Sequence, residues 1–290
     1  MRWTHQRDAY LSIAFFLIAI VPFIFAPPVL CGSQAWGGLS KSTNGGQNWV
    51  DASSGLGQKN VVALTLNPLT PSILYAATTE SGVFKTVDGA NGWTAVRSGI
   101  SGLSCFRLLV DPGRPDTIYL GTQGSGIFKS IDGCVSWQVS SADLPQDCTP
   151  YALAINSGAN IVYAGLFSWG VYKGENGAAK WVASNSGLTG HSVSSLIAST
   201  KPRTLYAGIQ TYGSSIFISS DGGTTWTMSN AGMMYPVVFS LVMDPTNPKI
   251  LYSGTPATRA PSSNPRTAAG AGYPQTMAWG EATCQPLPWR

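Results

Sequence analysis

Charge is scarce in this chain of 290 residues: Asp, Glu, Lys and Arg make up 10%, with 17 basic against 13 acidic side chains and a formal net charge of +4. Basic residues so few and so scattered offer no track for a phosphate backbone, which sets nucleic acid aside as a partner. Histidine is scarcer, with only His5 and His191, and none of the five cysteines forms a CxxC pair. No metal site and no cofactor is expected, because zinc sites need about four such ligands in local clusters. Long apolar runs are also missing, except for Leu11 to Ala26. That run follows Arg2, His5 and Arg7, contains Pro22 and precedes Pro27-Pro28, which is the layout of a secretory leader. At sixteen residues it is short for a spanning helix, which needs ~20. Residues 1–33 are therefore expected to be a signal peptide or a membrane anchor, with the body secreted, periplasmic or at the cell surface.

Glycine and proline are abundant, at 33 and 19 residues, and they punctuate a repeat. GIFKSIDGCVSW (Gly126 to Trp137) has counterparts at GLSKSTNGGQNW (Gly38 to Trp49), GVFKTVDGANGW (Gly82 to Trp93), GVYKGENGAAKW (Gly170 to Trp181) and SIFISSDGGTTW (Ser215 to Trp226). The closing tryptophans are spaced by 44, 44, 44 and 45 residues. A strand-rich unit of that period reads as a propeller blade. Within it, short runs of β-formers flank a Ser/Thr-x-Asp-Gly hairpin turn, whose Asp accepts backbone N–H groups and whose Gly takes positive φ. The tryptophan that follows is expected in the core.

Ser130-Ile131-Asp132-Gly133 with Trp137, and Ser219-Ser220-Asp221-Gly222-Gly223 with Trp226, resemble the Asp-box or BNR repeat, and the resemblance runs from about residue 33 to 255. It implies an all-β propeller of four-stranded blades. The structural box residues are then Asn44 and Trp49, Asp88 and Trp93, Asp132 and Trp137, Asn176 and Trp181, and Asp221 and Trp226, with Asn replacing Asp in two copies. In the second repeat the strands read as Val61 to Leu66, Ser72 to Thr78, Gly82 to Val87 and Trp93 to Arg97, in the order A to D. Asn67-Pro68, Asp111-Pro112 and Asp244-Pro245 form A to B turns.

Four antiparallel strands put the A to B turns and the boxes on one face, and the B to C and D to A loops on the other. Propellers usually bind through that second face and the mouth of the channel. Its aromatic and basic residues, Trp36, Arg107, Tyr151, Trp169, Tyr212 and Tyr235, are the candidate ligand-binding set, and Arg107 and Tyr151 are read as equivalent positions near the start of strand A. Asp-box relatives include sialidases, xyloglucan-degrading enzymes, sortilin-type receptors and photosystem II assembly-factor-like propellers, so the fold leaves function open. The arginine cluster of a sialidase is lacking, since Arg97, Arg107, Arg114 and Arg203 are the only arginines in the repeats. A glycosidase needs two carboxyl groups about 5–9.5 Å apart, and only Glu80, Asp143 and Asp147 stand on the second face to supply them. The sequence therefore favours a non-catalytic binding or assembly module for a glycan or protein partner. The alternative is a polysaccharide-acting glycoside hydrolase of the Asp-box type.

Two further questions stay open in the sequence. Cys105 and Cys148, nearly in phase in successive repeats, either staple neighbouring blades or remain buried thiols, as does Cys134. The first repeat lacks its leading strands and the last, through Thr255, lacks its trailing ones. Either the two halves share one blade and close a ring of about five, or they belong to an incomplete larger propeller. Residues 256–290, rich in Pro, Ala, Gly, Ser and Thr, read as a disordered tail.

Overall fold

The computed structural model describes residues 37–102, 104–199, 203–211, 216–233 and 237–255. The expected leader and tail, with Trp36, Tyr212 and Tyr235, lie outside these residues. Four complete blades follow one another, each a four-stranded antiparallel meander. Blade 2 is β3 (Val61–Leu66), β4 (Leu74–Thr78), β5 (Gly82–Thr86) and β6 (Thr94–Ala95). Blade 3 is β7 (Cys105–Asp111), β8 (Arg114–Thr122), β9 (Gly126–Ser130) and β10 (Gln138–Val139). Blade 4 is β11 (Pro150–Asn156), β12 (Ile161–Leu166), β13 (Gly170–Gly174) and β14 (Lys180–Ala183). Blade 5 is β15 (Val193–Ala198), β16 (Leu205–Ile209), β17 (Ile216–Ser219) and β18 (Thr227–Met228). They are flanked by half-blade 1, β1 (Ser40–Lys41) with β2 (Val50–Asp51), and half-blade 6, β19 (Ser240–Met243) with β20 (Leu251–Gly254). Among the described residues these two halves form separate two-stranded sheets, so the single-chain closure left open by the sequence is not formed.

The first strands of the blades, β3, β7, β11, β15 and β19, stand side by side as the inner layer. Each A to B turn closes as its residues dictate. Asn67 Oδ1 accepts the Leu69 and Thr70 N–H groups, and Asp244 Oδ1 those of Thr246 and Asn247. Buried Asp111 accepts Gly113 N–H at 2.9 Å and pairs with Arg114 at 2.8 Å, so its carboxylate serves the turn.

The boxes are built alike. In blade 3, Ser130 Oγ donates to Asp132 Oδ1 at 2.7 Å and accepts Cys134 N–H at 2.9 Å, while Asp132 accepts Ser136 N–H and Oγ–H at 3.0 and 2.6 Å. Blade 5 repeats this with Ser219, Asp221, Gly223 and Thr225. The residues after the acidic position turn left-handed in pairs, Gly133 and Cys134 at φ 68° and 72°. In blade 4, where Gly174 and Asn176 break the pattern, a run of positive φ at Asn176, Gly177 and Ala178 holds the turn without a side-chain cap.

The hydrophobic core lies between blades rather than within them. One cluster joins Tyr163 and Val171 of blade 4 to Leu205, Phe217 and Trp226 of blade 5, and another joins Ala52 and Leu56, which follow β2, to Phe84 and Trp93 of blade 2. In the four complete blades the box tryptophan reaches back to the preceding unit. Nε1–H of Trp93, Trp137, Trp181 and Trp226 donates to the carbonyl oxygens of Ala52, Val96, Ser140 and Ser184 at 2.9, 2.9, 2.6 and 2.8 Å. Backbone N–H groups of Trp93, Trp137 and Trp226 donate to Ser54, Ser98 and Ser186. One residue further on, Gly55, Gly99 and Gly187 cradle the tryptophan, with no room for a Cβ beside its carbonyl.

This joint corrects the expectation that every box tryptophan is core. Trp93, Trp137, Trp181 and Trp226 are 3–5% exposed, but Trp49 is 63% exposed. Its Nε1–H falls back on Gly46 of its own box, because among the described residues no unit precedes half-blade 1 to receive it.

No disulfide staples Cys105 to Cys148: Cys134 and Cys148 are buried free thiols, and Cys105 is buried. Burial pushes the Cys105 thiol up to about 12 and that of Cys148 to about 11, well outside the range of a reactive thiolate.

Candidate functional site

Strand A of every complete blade begins with a bulge, which sets what stands on the second face. Pairing skips a residue between Val61 and Ala63, Cys105 and Arg107, Pro150 and Ala152, and Val193 and Ser195. The bulged residues are Val62, Phe106, Tyr151 and Ser194. A bulge leaves its extra residue unpaired and re-aims the side chain. The sequence phase that equated Arg107 with Tyr151 is thus off by one: Tyr151 corresponds to Phe106, and Arg107 to Ala152.

The correction brings aromatic rings together. Phe106 meets Tyr151 edge-on with ring centroids 5.4 Å apart, and Tyr151 meets Phe167 in the same geometry, also at 5.4 Å. Edge-to-face pairs at this distance are favourable, because a ring's positive rim meets the negative face of its neighbour. Phe167 lies at the tip of the β12 to β13 turn and is 48% exposed; two residues on, Trp169 is 49% exposed. Ser168 between them takes φ 66°, a left-handed conformation that a β-carbon disfavours. The turn therefore holds two large apolar side chains half in solvent.

Arg107 stands beside this run. Its Nη1–H donates to the Phe106 carbonyl at 3.0 Å, and no carboxylate forms an ion pair with it among the described residues. Burial lowers the pKa of its guanidinium, with the Tyr151 phenol opposing the shift. A half-buried cation next to exposed rings suits a carboxylate or a ring hydroxyl of a ligand.

The candidate acid and base residues are not assembled. Glu80 is exposed on the β4 to β5 turn and Asp147 is exposed with φ 56°, while Asp143 accepts the Trp181 N–H at 3.2 Å. Asp143 replaces the cradle glycine of the other joints, so its carboxylate serves the junction of blades 3 and 4. The box carboxylates serve turns as well. Hydrogen bonds, first from Ser136 and from Thr225, hold Asp132 and Asp221 down at about 2, and the Thr86 hydroxyl does the same in direction for Asp88. Among the described residues no group of His, Cys, Asp and Glu could hold a metal ion. Two shallow clefts lie on the outer rim, one at the joint of blades 3 and 4, lined by Lys129, Ser140 and Trp181, and the other at the joint of half-blade 1 and blade 2, lined by Lys85, Gly55 and Trp93.

Sequence reasoning missed Phe106 and Phe167. The signal for Phe106 was its spacing of 45 residues from Tyr151, one more than the 44 between the tryptophans of the same repeats. The signal for Phe167 was an apolar residue flanking Trp169 in a turn.

No protein-family model matches the sequence, and no curated protein matches it. Solved structures do. A GH74 xyloglucanase from Xanthomonas campestris superposes with a TM-score of 0.58 at 16% identity, over 71% of this chain and 37% of that one. The GH74 enzyme of Niastella koreensis gives 0.61 at 19%, over 74% and 39%. YCF48 bound to a D1 peptide gives 0.57 at 14%, over 75% and 69%. The chain thus spans about two fifths of the length of these GH74 enzymes. At such identities the likeness concerns the fold: this chain has a β-propeller fold, with four complete blades between two half-blades among the described residues.

Proposed function

We propose that this chain is an exported, non-catalytic binding or assembly module that takes a glycan or protein partner on the face opposite its boxes. The observation that carries the reading is the run Phe106, Tyr151 and Phe167, with Arg107 alongside and Trp169 half in solvent. Aromatic faces on a rigid scaffold stack on sugar rings or anchor a partner's side chains, and an adjacent arginine fixes orientation. The fold is compatible with both ligand classes, since solved propellers like it include xyloglucanases and a peptide-bound YCF48. Hydrolysis is disfavoured by the placement of Asp143 in a joint and of Glu80 and Asp147 on separate exposed loops.

The test is retention on glycan and peptide arrays together with a reducing-sugar assay on polysaccharides. Tyr151→Ala combined with Trp169→Ala should cut retention at least about tenfold, as loss of anchor aromatics does, while Glu80→Gln with Asp147→Asn leaves it unchanged. Sugar release that disappears in Glu80→Gln would establish the hydrolase instead.

A further inference from the structure

The outer rim of blade 3, in the interior of the array with complete blades on both sides, departs from the other repeats at three positions. Ile131 follows the box serine, Val135 stands two residues before the box tryptophan and Val139 two residues after it, and they are 69, 71 and 65% exposed. Every other unit has a polar residue at one or more of these positions, as Asp51 in half-blade 1, Asn91 in blade 2, Glu175 in blade 4 and Thr224 in blade 5. The turn itself does not call for aliphatic side chains. Blade 5 has Ser220 and Thr224 where blade 3 has Ile131 and Val135, and its box makes the same hydrogen bonds.

These residues flank an open strand edge. Ser140 N–H donates to Ile127, while Gln138 lies opposite Lys129 and Val139 opposite Phe128. Antiparallel bonding alternates along a strand, so the N–H and C=O of Val139 point away from β9. Neither group has a hydrogen-bond partner among the described residues. Proteins guard such an edge with charge or proline, and β10, Gln138 with Val139, has neither. Beside it lies the cleft at the joint of blades 3 and 4, of about 300 Å³, lined by Ile131, Val139, Ala142 and Ala178 among others. Its one charged lining residue is Lys129, whose Nζ donates to the Gly177 carbonyl at 2.7 Å. An ammonium has three protons to donate.

We propose that β10 receives an extended peptide as an added strand of blade 3, with aliphatic side chains beside Val139 and acidic ones toward Lys129. In strand addition the main chain supplies affinity and alternate side chains supply specificity. The alternation follows from the register: Lys129 faces Gln138 and Phe128 faces Val139, and neighbours along a strand point to opposite sides of a sheet. An aliphatic and acidic alternation therefore meets Val139 on one side and the cation on the other. A second copy of this chain fits less well, because its own β10 would bring no carboxylate to Lys129. The surface is separate from the face that carries Tyr151 and Trp169, so its test stands apart from the function proposed for that face.

The probe is a fluorescein-labelled peptide of alternating valine and glutamate, about six residues long like an ordinary strand, titrated with the full chain and read by anisotropy. Saturable binding is expected. Val139→Pro removes the outward N–H at an edge position that tolerates proline, and should weaken binding about tenfold, as loss of a hydrogen bond does. Ala95→Pro, the same change on β6, should leave binding unchanged. On the peptide, N-methylation of one alternate set of amides should abolish binding and methylation of the other set should not, a readout that cannot unfold the protein. Lysine in place of glutamate should weaken binding at low salt. Absence of saturable binding, or equal binding by Val139→Pro or by both methylated peptides, would overturn the added strand. Equal binding of the lysine peptide would overturn the role given to Lys129. Concentration-dependent dimers that disappear in Val139→Pro would overturn the peptide in favour of a second copy.

Discussion

Half-blade 1 and blade 3 contain the same turn in opposite surroundings. In both, the serine of the box bonds the acidic or amide side chain two residues on and accepts the N–H four residues on: Ser42 with Asn44 and Gly46, Ser130 with Asp132 and Cys134. Yet Trp49 is 63% exposed and Trp137 is 3% exposed. The turn is therefore a property of the repeat's own dozen residues, whereas burial of its tryptophan is conferred by the unit before it. Cohesion of the array resides in the joints, and a joint needs two neighbours.

That contrast can be broken by substitution, most strongly at the tryptophans. Trp137→Ala should destabilise by about 3–5 kcal/mol, the usual result of emptying a packed aromatic site, whereas Trp49→Ala in dilute protein should cost under about 0.5 kcal/mol, as exposed positions do. Thermal or denaturant melts of the two variants side by side measure the difference, and equal costs would mean that the two tryptophans are not in different environments.

A smaller effect is expected from the turn itself. Ser130 is buried, and Ser130→Ala strands the Cys134 N–H at a cost of about 1–3 kcal/mol. Ser42→Ala, in an exposed box where water can replace the hydroxyl, should fall within a few tenths of a kcal/mol. A large loss in Ser42→Ala would show that the turn, rather than the joint, holds half-blade 1.

Acid gives the smallest and most selective contrast. Asp132 and Asp221 are held at about 2 in the folded chain, below an unfolded value of ~3.9. A depressed folded pKa adds stability that is complete above the unfolded value and is lost as pH falls through the folded one. The window is thus from about pH 4 down to about pH 2. Asp132→Asn should flatten part of the pH dependence there, while Asn44→Ala, which alters no titrating group, should leave its slope unchanged. Melting temperatures between pH 2 and pH 5 read both.

Much of this architecture was legible in the sequence because it is local. Val61 to Leu66 was read as a strand to the residue, and the roles of Asn67, Asp111 and Asp244 followed from their position before proline or in a turn. What was not legible depends on neighbours or on phase. The exposure of Trp49 follows from what adjoins it, which its own repeat does not encode. The pairing of Tyr151 with Phe106 instead of Arg107 turns on a bulge and one extra loop residue, and both preserve the β-former pattern. Asp143 looked like a catalytic candidate because it is a loop carboxylate; only the packed joint shows it bonded to Trp181.

The account stands most directly on solvent contact of individual indoles, which fluorine NMR of 5-fluorotryptophan-labelled protein reports through the shift between H2O and D2O. In dilute, monomeric protein, with resonances assigned by single Trp→Phe variants, Trp49 should show a clear solvent isotope shift, and Trp93, Trp137, Trp181 and Trp226 should show little or none. A shielded Trp49 in the monomer, or an interior tryptophan as open to solvent as Trp49, would contradict the claim that each indole is buried by the blade before it.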